Sequence, residues 1–203
     1  MSTPKEFSRF TLTEALALLK LDTLGEWIPE VERIEPSAFH LERMQRLKVF
    51  DTSLSEMAKQ LLIEAVFEEA LQTFPAFKVF KIVPLKSEAA GGFVDYLIAL
   101  NRTLPQAPFL CVAEAKKDDF ERGLAQCLAE LHVCAEKNAA EGHAVPLYGI
   151  ISNGQGWQFC RRALDGSVVV TSLYALTDLP HLLGILRSIF TAIQTNLASP
   201  ANP

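Results

Sequence analysis

The sequence predicts an α/β protein built on a mixed central β-sheet flanked by helices. Segments with helical periodicity alternate along the chain with short apolar runs, and turn-forming residues separate them. The 203 residues are 49% hydrophobic, which is enough for one domain with a substantial core. We find no repeat and no linker, and therefore expect a single domain over 1–203, with a helical extension at 1–50, a core at 51–176, and a C-terminal helix and tail at 177–203.

Capping boxes predict two helices before the first strand. These helices should run from Thr11 to about Leu21 and from Ser53 to about Phe74, because each begins with a hydroxyl residue followed by Glu three positions later. Between them we expect an irregular stretch with Pro29 and Pro36 and a charged segment, His40–Lys48. Phe77–Leu85 then alternates between apolar and polar residues, as a half-buried strand does.

The next two apolar runs, Gly91–Ile98 and Phe109–Lys116, are joined by a turn-like segment and predict a β-hairpin. If the hairpin is symmetric, Asp95 lies directly opposite Glu114. Lys116 then projects to the same side, since residues two apart in a strand share a face. Buried strands normally avoid charge, so these acids are the most informative residues in the chain.

The rest of the chain continues the alternation of helices and strands. We expect a helix from Asp118 or Asp119 to about Asn138, strands at Pro146–Ile151, Trp157–Ala163 and Ser167–Thr171, and a final helix at Leu179–Leu197. An Asn-Gly turn at 153–156 joins the first two of these strands.

Composition excludes several classes of protein. The net charge of −5 argues against a protein that coats nucleic acid by bulk electrostatics, although it leaves room for a local basic groove. No run approaches the roughly eighteen apolar residues of a membrane span, and the N-terminus lacks the apolar core of a signal peptide. The four cysteines lack metal-binding spacing and lie in apolar segments, so we expect buried thiols in a cytoplasmic protein.

Two carboxylates that face each other across strands repel unless a cation lies between them. Mg²⁺ prefers one or two carboxylates together with water and phosphate oxygens. Asp95 and Glu114 meet this requirement, the carbonyl of Ala115 could add an oxygen, and Lys116 would lie beside the ion. The alternative is that both acids are solvated at the rim of the sheet, with Lys116 as their salt-bridge partner.

At these residues the chain resembles the PD-(D/E)xK nuclease superfamily, whose fold is restriction-endonuclease-like. It is most similar to the N-terminal nuclease domains of type I restriction enzyme R subunits. The resemblance covers about 51–162 and comprises an acid near a helix start (Glu56), Asp95 on the second strand, Glu114-Ala115-Lys116 on the third, Gln126 in the following helix, and the turn Asn153–Trp157.

The resemblance implies that Asp95 and Glu114 bind the metal, that Lys116 acts at the attacking water, and that Glu56 and Gln126 support the site. Glu56 has a competing role as the third residue of its own capping box.

Four further positions qualify the resemblance. Glu64 and Glu68 are alternative acids on the same helix as Glu56. Val94 precedes Asp95 where a proline is common, and Glu130 stands where the type I enzymes often carry an aromatic residue. Gln126 itself lies roughly opposite the main apolar stripe of its helix, so it must face a second surface or be solvated.

These features predict a DNA endonuclease that uses Mg²⁺ or Mn²⁺ to hydrolyse phosphodiester bonds with metal-activated water. A homodimer is compatible with this function, since cutting both strands of a duplex takes two such centres. The alternatives are a catalytically inactive nuclease-like module that binds nucleic acid or a protein partner, and a small-molecule enzyme on an unrelated α/β fold. Trp157 and Phe159, beside Arg161 and Arg162, are candidates for stacking on a nucleic acid strand or for ordinary core packing.

Overall fold

The structure, a computed structural model, describes residues 3–52, 55–115 and 119–198, and for Glu56 the backbone alone. The helices are α1 (Leu12–Leu19), α2 (Ala38–Leu47), α3 (Glu56–Leu71), α4 (Phe120–Ala140) and α5 (Leu179–Ala198). The strands are β1 (Lys5–Glu6), β2 (Gly25–Glu26), β3 (Phe77–Lys86), β4 (Ala90–Leu100), β5 (Phe109–Ala115), β6 (Leu147–Ser152), β7 (Gly156–Arg162), β8 (Val168–Val170) and β9 (Tyr174–Ala175).

The described strands form one mixed sheet, which confirms the predicted α/β class. Its order is β1-β4-β5-β6-β7-β8-β2, with β3 pairing with β4 and β9 pairing with β7. The pairs β1–β4, β5–β6 and β2–β8 are parallel and the remaining pairs are antiparallel. Helix α4 connects the parallel strands β5 and β6, as parallel strands require a crossover.

Helices cover both faces of the sheet. On one face, side chains of α3 and α5 pack with sheet residues such as Tyr96 and Ile150. On the other face, α4 and α1 pack with Leu97 and Val112. Helix α2 packs on α3 through Leu47, outside the three-layer core.

The first fifty residues differ from the predicted helical extension. Thr11 and Glu14 form the predicted capping box of α1. The segment also contributes β1 and β2, two-residue strands that pair with β4 and β8. The charged segment is part of α2, which follows the N-cap Ser37, whose hydroxyl accepts from the backbone N–H of His40.

The final helix lies in the core. By length and composition, the described segment Leu176–Ala198 is apolar enough to cross a membrane. In this fold its apolar side chains, Leu186 and Phe190 among them, pack against the sheet and α3. The predicted state of the cysteines is confirmed as well, since all four are buried, free thiols.

Candidate metal centre

Strands β4 and β5 pair in the register that the sequence predicted. Tyr96 lies opposite Ala113, so the next step along both strands brings Asp95 against Glu114. The backbone N–H of Ala115 donates to Oδ2 of Asp95 at 2.9 Å, which ties the aspartate to the end of β5. The two predicted acids therefore lie together on neighbouring strands.

Asp95 lies where β4 changes its partner. Tyr96 pairs with β5, whereas Gly91 pairs with Glu6 of β1 on the same side of β4. Asp95 lies between these two ladders, and α4 begins shortly after β5 ends, beside this gap. A gap between strand ends is a usual place for a ligand, because side chains there reach a crevice without disrupting the sheet.

The strand on the other side of Asp95 is distorted at the same level. Lys81 pairs with Tyr96 and Val83 pairs with Val94, so Ile82 lies across from Asp95. The φ angle of Ile82 is +53°, in the left-handed region that a β-branched residue rarely adopts. Such a conformation costs about 1–3 kcal/mol, and strained residues of this kind cluster at functional sites.

A third carboxyl group lies next to Glu114. All residues of β5 are buried, and Glu114 is 2% exposed. Glu130 of α4 is 0% exposed. Burial, the charge of Glu114, the hydrogen bond between the two carboxyl groups and the more distant charge of Asp95 raise the pKa of Glu130 well above its usual range. Burial and the neighbouring carboxylate therefore favour the protonated, neutral form of Glu130.

Gln126 belongs to the same cluster. Its Nε2 donates to Oε1 of Glu130 at 3.1 Å, and its side chain is 5% exposed. Oε2 of Glu130 has no hydrogen-bond partner, donor or acceptor, in the described ranges. Gln126 thus faces a buried second surface of α4, which packs against both the sheet and α1.

The described donor set fits a metal ion held mainly by water and substrate. Asp95 and Glu114 supply two carboxylates, and the neutral Glu130 is a poorer ligand for a cation. Within the three described ranges, no group of three or more His, Cys, Asp or Glu side chains has the spacing of a closed metal cage. Mg²⁺ commonly binds through one or two carboxylates plus water and phosphate oxygens.

For two of the predicted site residues the structure describes no side chain. Lys116 lies outside the described residues, and for Glu56 the backbone alone is described. The N-cap of α3 is Ser55, whose hydroxyl accepts from the N–H of Ala58. Glu56 is therefore the first residue of the helix, and the predicted capping box with Glu56 at its third position is wrong.

The predicted Asn-Gly turn positions the start of α3. Oδ1 of Asn153 accepts from the N–H groups of Gln155 and Gly156, at 3.1 and 2.7 Å. Gly154 has a φ of +83°, and a Cβ there would lie 3.1 Å from the carbonyl oxygen of Lys59. Because this turn follows the end of β6, α3 begins at the edge of the sheet where β5 ends.

Lys59 is a buried residue at this edge that no pattern in the sequence singles out. It is 7% exposed, and it lies one turn after Glu56. Lysine is almost never buried unless it is paired. An amphipathic-helix pattern does not distinguish such a lysine from a solvated one.

Two sequence-based alternatives are wrong. Trp157 and Phe159 are 0% exposed and lie in the core between the sheet and α3, so they do not stack on nucleic acid. Glu64 lies beside Tyr96, whose hydroxyl donates to it at 3.1 Å, while Lys81 approaches it at 2.5 Å. This arrangement is on the α3 side of the sheet and not at Asp95.

Glu68 does not join the cluster either. It accepts from Nε of Arg43 at 3.2 Å, in a contact between α2 and α3. The acids that meet at the gap are therefore Asp95, Glu114 and Glu130.

The sequence matches no family model, and no curated protein is significantly similar to it.

Proposed function

We propose that this protein is a divalent-metal-dependent endonuclease that hydrolyses phosphodiester bonds in DNA. The observation that carries the proposal is the convergence of Asp95 and Glu114 at the gap between β1 and β5, with Gln126 linked to them through Glu130. In the PD-(D/E)xK nucleases that the chain resembles, residues of these types in this order form the active site.

Each residue has a role that follows from its place. Asp95 and Glu114 would hold Mg²⁺ or Mn²⁺, and the carbonyl of Ala115 would add an oxygen at the end of β5. The bound metal would supply an activated water and neutralise charge on the phosphate in the transition state. Lys116 would contact that water.

Gln126 and Glu130 keep the site in place. The amide of Gln126 donates to Glu130 at 3.1 Å, and Glu130 lies beside the candidate ligand Glu114 on the buried side of the site. Residues that orient a metal ligand from behind are commonly nearly as important for the site as the ligand itself. Glu56, at the start of α3, would approach from the same edge of the sheet.

One observation favours the alternative, a catalytically inactive nuclease-like module that binds nucleic acid or a protein partner. Burial beside Glu114 favours the neutral form of Glu130, so the two buried acids do not both carry a negative charge. A cluster stabilised in this way does not require a cation in order to fold.

Plasmid nicking distinguishes the two functions. Supercoiled plasmid is incubated with the protein and Mg²⁺ or Mn²⁺, with EDTA as the metal-free control. We expect nicking by the wild type and at least a hundredfold less by Asp95→Ala and Lys116→Ala. Asp165→Ala is the matched control, because Asp165 is an exposed acid in the β7–β8 turn. Metal-dependent nicking that survives Asp95→Ala would refute the proposed site, and DNA binding without any cleavage would favour the inactive module.

A further inference from the structure

The outer side of α2 carries apolar side chains that nothing in the described part of the chain covers. Phe39 is 68% exposed, and Val49 and Phe50, in the turn that follows the helix, are 81% and 55% exposed. The N–H groups of both turn residues donate to carbonyl oxygens three residues earlier, so their side chains project much as a further turn of helix would place them. We define the α2 stripe as Phe39, Glu42, Arg46, Val49 and Phe50.

The α2 stripe lies on one side of the helix, away from α3. Its members recur at intervals of three or four residues, which is the spacing of neighbours along one side of a helix. The side that packs on α3 consists of other residues, namely His40, Met44 and Leu47. Packing within the chain therefore does not account for the apolar residues at both ends of the α2 stripe. Exposed apolar surface of this kind commonly marks an interaction site.

A groove of about 650 Å³ lies beside the α2 stripe. Phe39, Glu42 and Arg46 line it together with the flanking Arg43 and with Glu68 of α3. Arg43 and Glu68 pair with each other at 3.2 Å and so hold α2 against α3 along the groove. Grooves of a few hundred cubic ångströms hold whole small ligands, so this one has room for an aromatic side chain of a partner.

The order of residues in the α2 stripe indicates what covers it. Along the chain the stripe is apolar, acidic, basic and apolar, so a second copy running in the opposite direction presents the complementary order. With a two-fold axis at the level of residue 44, Phe39 lies opposite Val49 of the other copy and Glu42 lies opposite its Arg46. The axis repeats each contact in reverse, as a symmetric dimer requires. A parallel copy would instead bring like charges together.

We propose that the α2 stripe is the interface of a symmetric homodimer in which the α2 helices of two copies pack antiparallel. Phe50 of each copy enters the groove beside Phe39 of the other. Glu42 and Arg46 already contact each other within one copy, so the dimer joins two surface ion pairs into a network of four charges. The inference does not depend on the proposed function. It adds a partner, a second copy of this chain, and brings two candidate metal centres into one particle.

The size of this interface sets the affinity to expect. Two exposed phenylalanines, a valine and one charged pair supply on the order of 500 Å² of surface per copy, and so about 1,000 Å² for the dimer. This area is at the lower end of specific protein interfaces. We therefore expect a dimer that dissociates at micromolar concentrations, which analytical ultracentrifugation of the full chain measures directly.

Charge reversal tests the antiparallel pairing. Glu42→Arg leaves only basic charges in the α2 stripe and Arg46→Glu leaves only acidic ones, so each variant should dimerise at least about tenfold more weakly than the wild type. Mixed in equal amounts, the two variants should form a heterodimer, because a basic stripe then faces an acidic one. The double variant, Glu42→Arg with Arg46→Glu, should dimerise like the wild type. Arg9→Glu is the matched control, because Arg9 is another exposed arginine that pairs with a nearby glutamate.

Substitution of the apolar ends gives a second readout. Phe39→Ser and Phe50→Ser should each weaken the dimer at least about tenfold, whereas Leu173→Ser, at another exposed apolar position, should not. All these side chains are exposed in the single chain, so the unfolding temperature of the dilute, monomeric protein should stay that of the wild type. A wild type that remains monomeric at about 200 µM would overturn the inference. So would a dimer that these variants leave unchanged, or charge variants that do not associate when mixed.

Discussion

Glu130 of α4 lies beside Glu114 of β5 in a region from which solvent is excluded. Neighbouring carboxylates cannot both remain ionised there, because burial and mutual repulsion oppose the second charge. The protein resolves the conflict by keeping Glu130 protonated.

The raised pKa of Glu130 makes stability depend on pH. In the unfolded chain Glu130 loses its proton near pH 4.5, whereas in the folded protein it keeps the proton to a much higher pH. The folded state binds more protons in this window, so the free energy of unfolding falls as pH rises, by up to about 1.4 kcal/mol per pH unit.

Glu130→Gln should remove this dependence. Its side chain has the same shape as the protonated glutamate and can accept from Gln126, but it has no proton to lose. We expect the variant to be more stable than the wild type at pH 8 and similar at pH 4.5, as measured by urea denaturation. Glu141→Gln, an exposed position, should leave the wild-type profile unchanged. Parallel profiles for Glu130→Gln and the wild type would contradict a neutral Glu130.

His40 should have the opposite effect on stability: it should make the free energy of unfolding fall as the pH is lowered into the acidic range. Its ring is 1% exposed, and its Nδ1 lies 3.1 Å from the carbonyl oxygen of Ala65. Burial lowers the pKa of His40, and the nearby Glu69 only partly opposes this. The unfolded chain binds the extra proton below about pH 6.5, so stability is complete above that pH and declines as pH falls below it.

His40→Asn tests this assignment. Asparagine keeps a donor near Ala65 but does not titrate. The loss of stability of the wild type between pH 6.5 and pH 5 should shrink in this variant and persist in His143→Asn, at a partly exposed loop position. An unchanged acidic slope in His40→Asn would show that other groups cause it.

Gly149 allows α4 to approach the sheet closely enough for Glu130 to reach Glu114. A Cβ at position 149 would lie 2.4 Å from Sγ of Cys127 on α4 and 2.5 Å from Sγ of Cys160 on β7. Gly149→Ala should therefore cost about 1–3 kcal/mol in thermal or urea unfolding, as overpacking does. Adding Cys127→Ala and Cys160→Ala should restore part of the loss, because both obstructing sulfurs are removed. A fully stable Gly149→Ala protein would contradict the close packing of α4.

The sequence was most informative where local patterns are strong. Two apolar strands and the assumption of a symmetric loop predicted the register that places Asp95 against Glu114, although the pairing shifts by one residue between Ile98 and Ala99, nearer the loop. The strands β1 and β2 have two residues each, too few for any periodicity, and tertiary pairing alone creates them. Helix α2 was missed because its exposed side is highly charged and only His40 and Leu47 are buried.

The role of Glu130 could not be predicted from the sequence. A helix buried on two sides has no single apolar stripe, so a buried acid on α4 looks like a solvated one. The spacing of Gln126 and Glu130 by four residues was the available signal, since it places both on one side of the helix. Whether that side of α4 is buried or solvated depends on the packing of α1 against it, which is a long-range contact.

The most direct test of the metal centre is a crystal of the protein soaked in Mn²⁺, examined by anomalous diffraction at the manganese edge. We predict one peak bonded to carboxylate oxygens of both Asp95 and Glu114, at the roughly 2.0–2.2 Å expected for a small divalent cation with oxygen ligands. A map at saturating Mn²⁺ with no peak between these residues, or with the ion bound only elsewhere, would contradict the account.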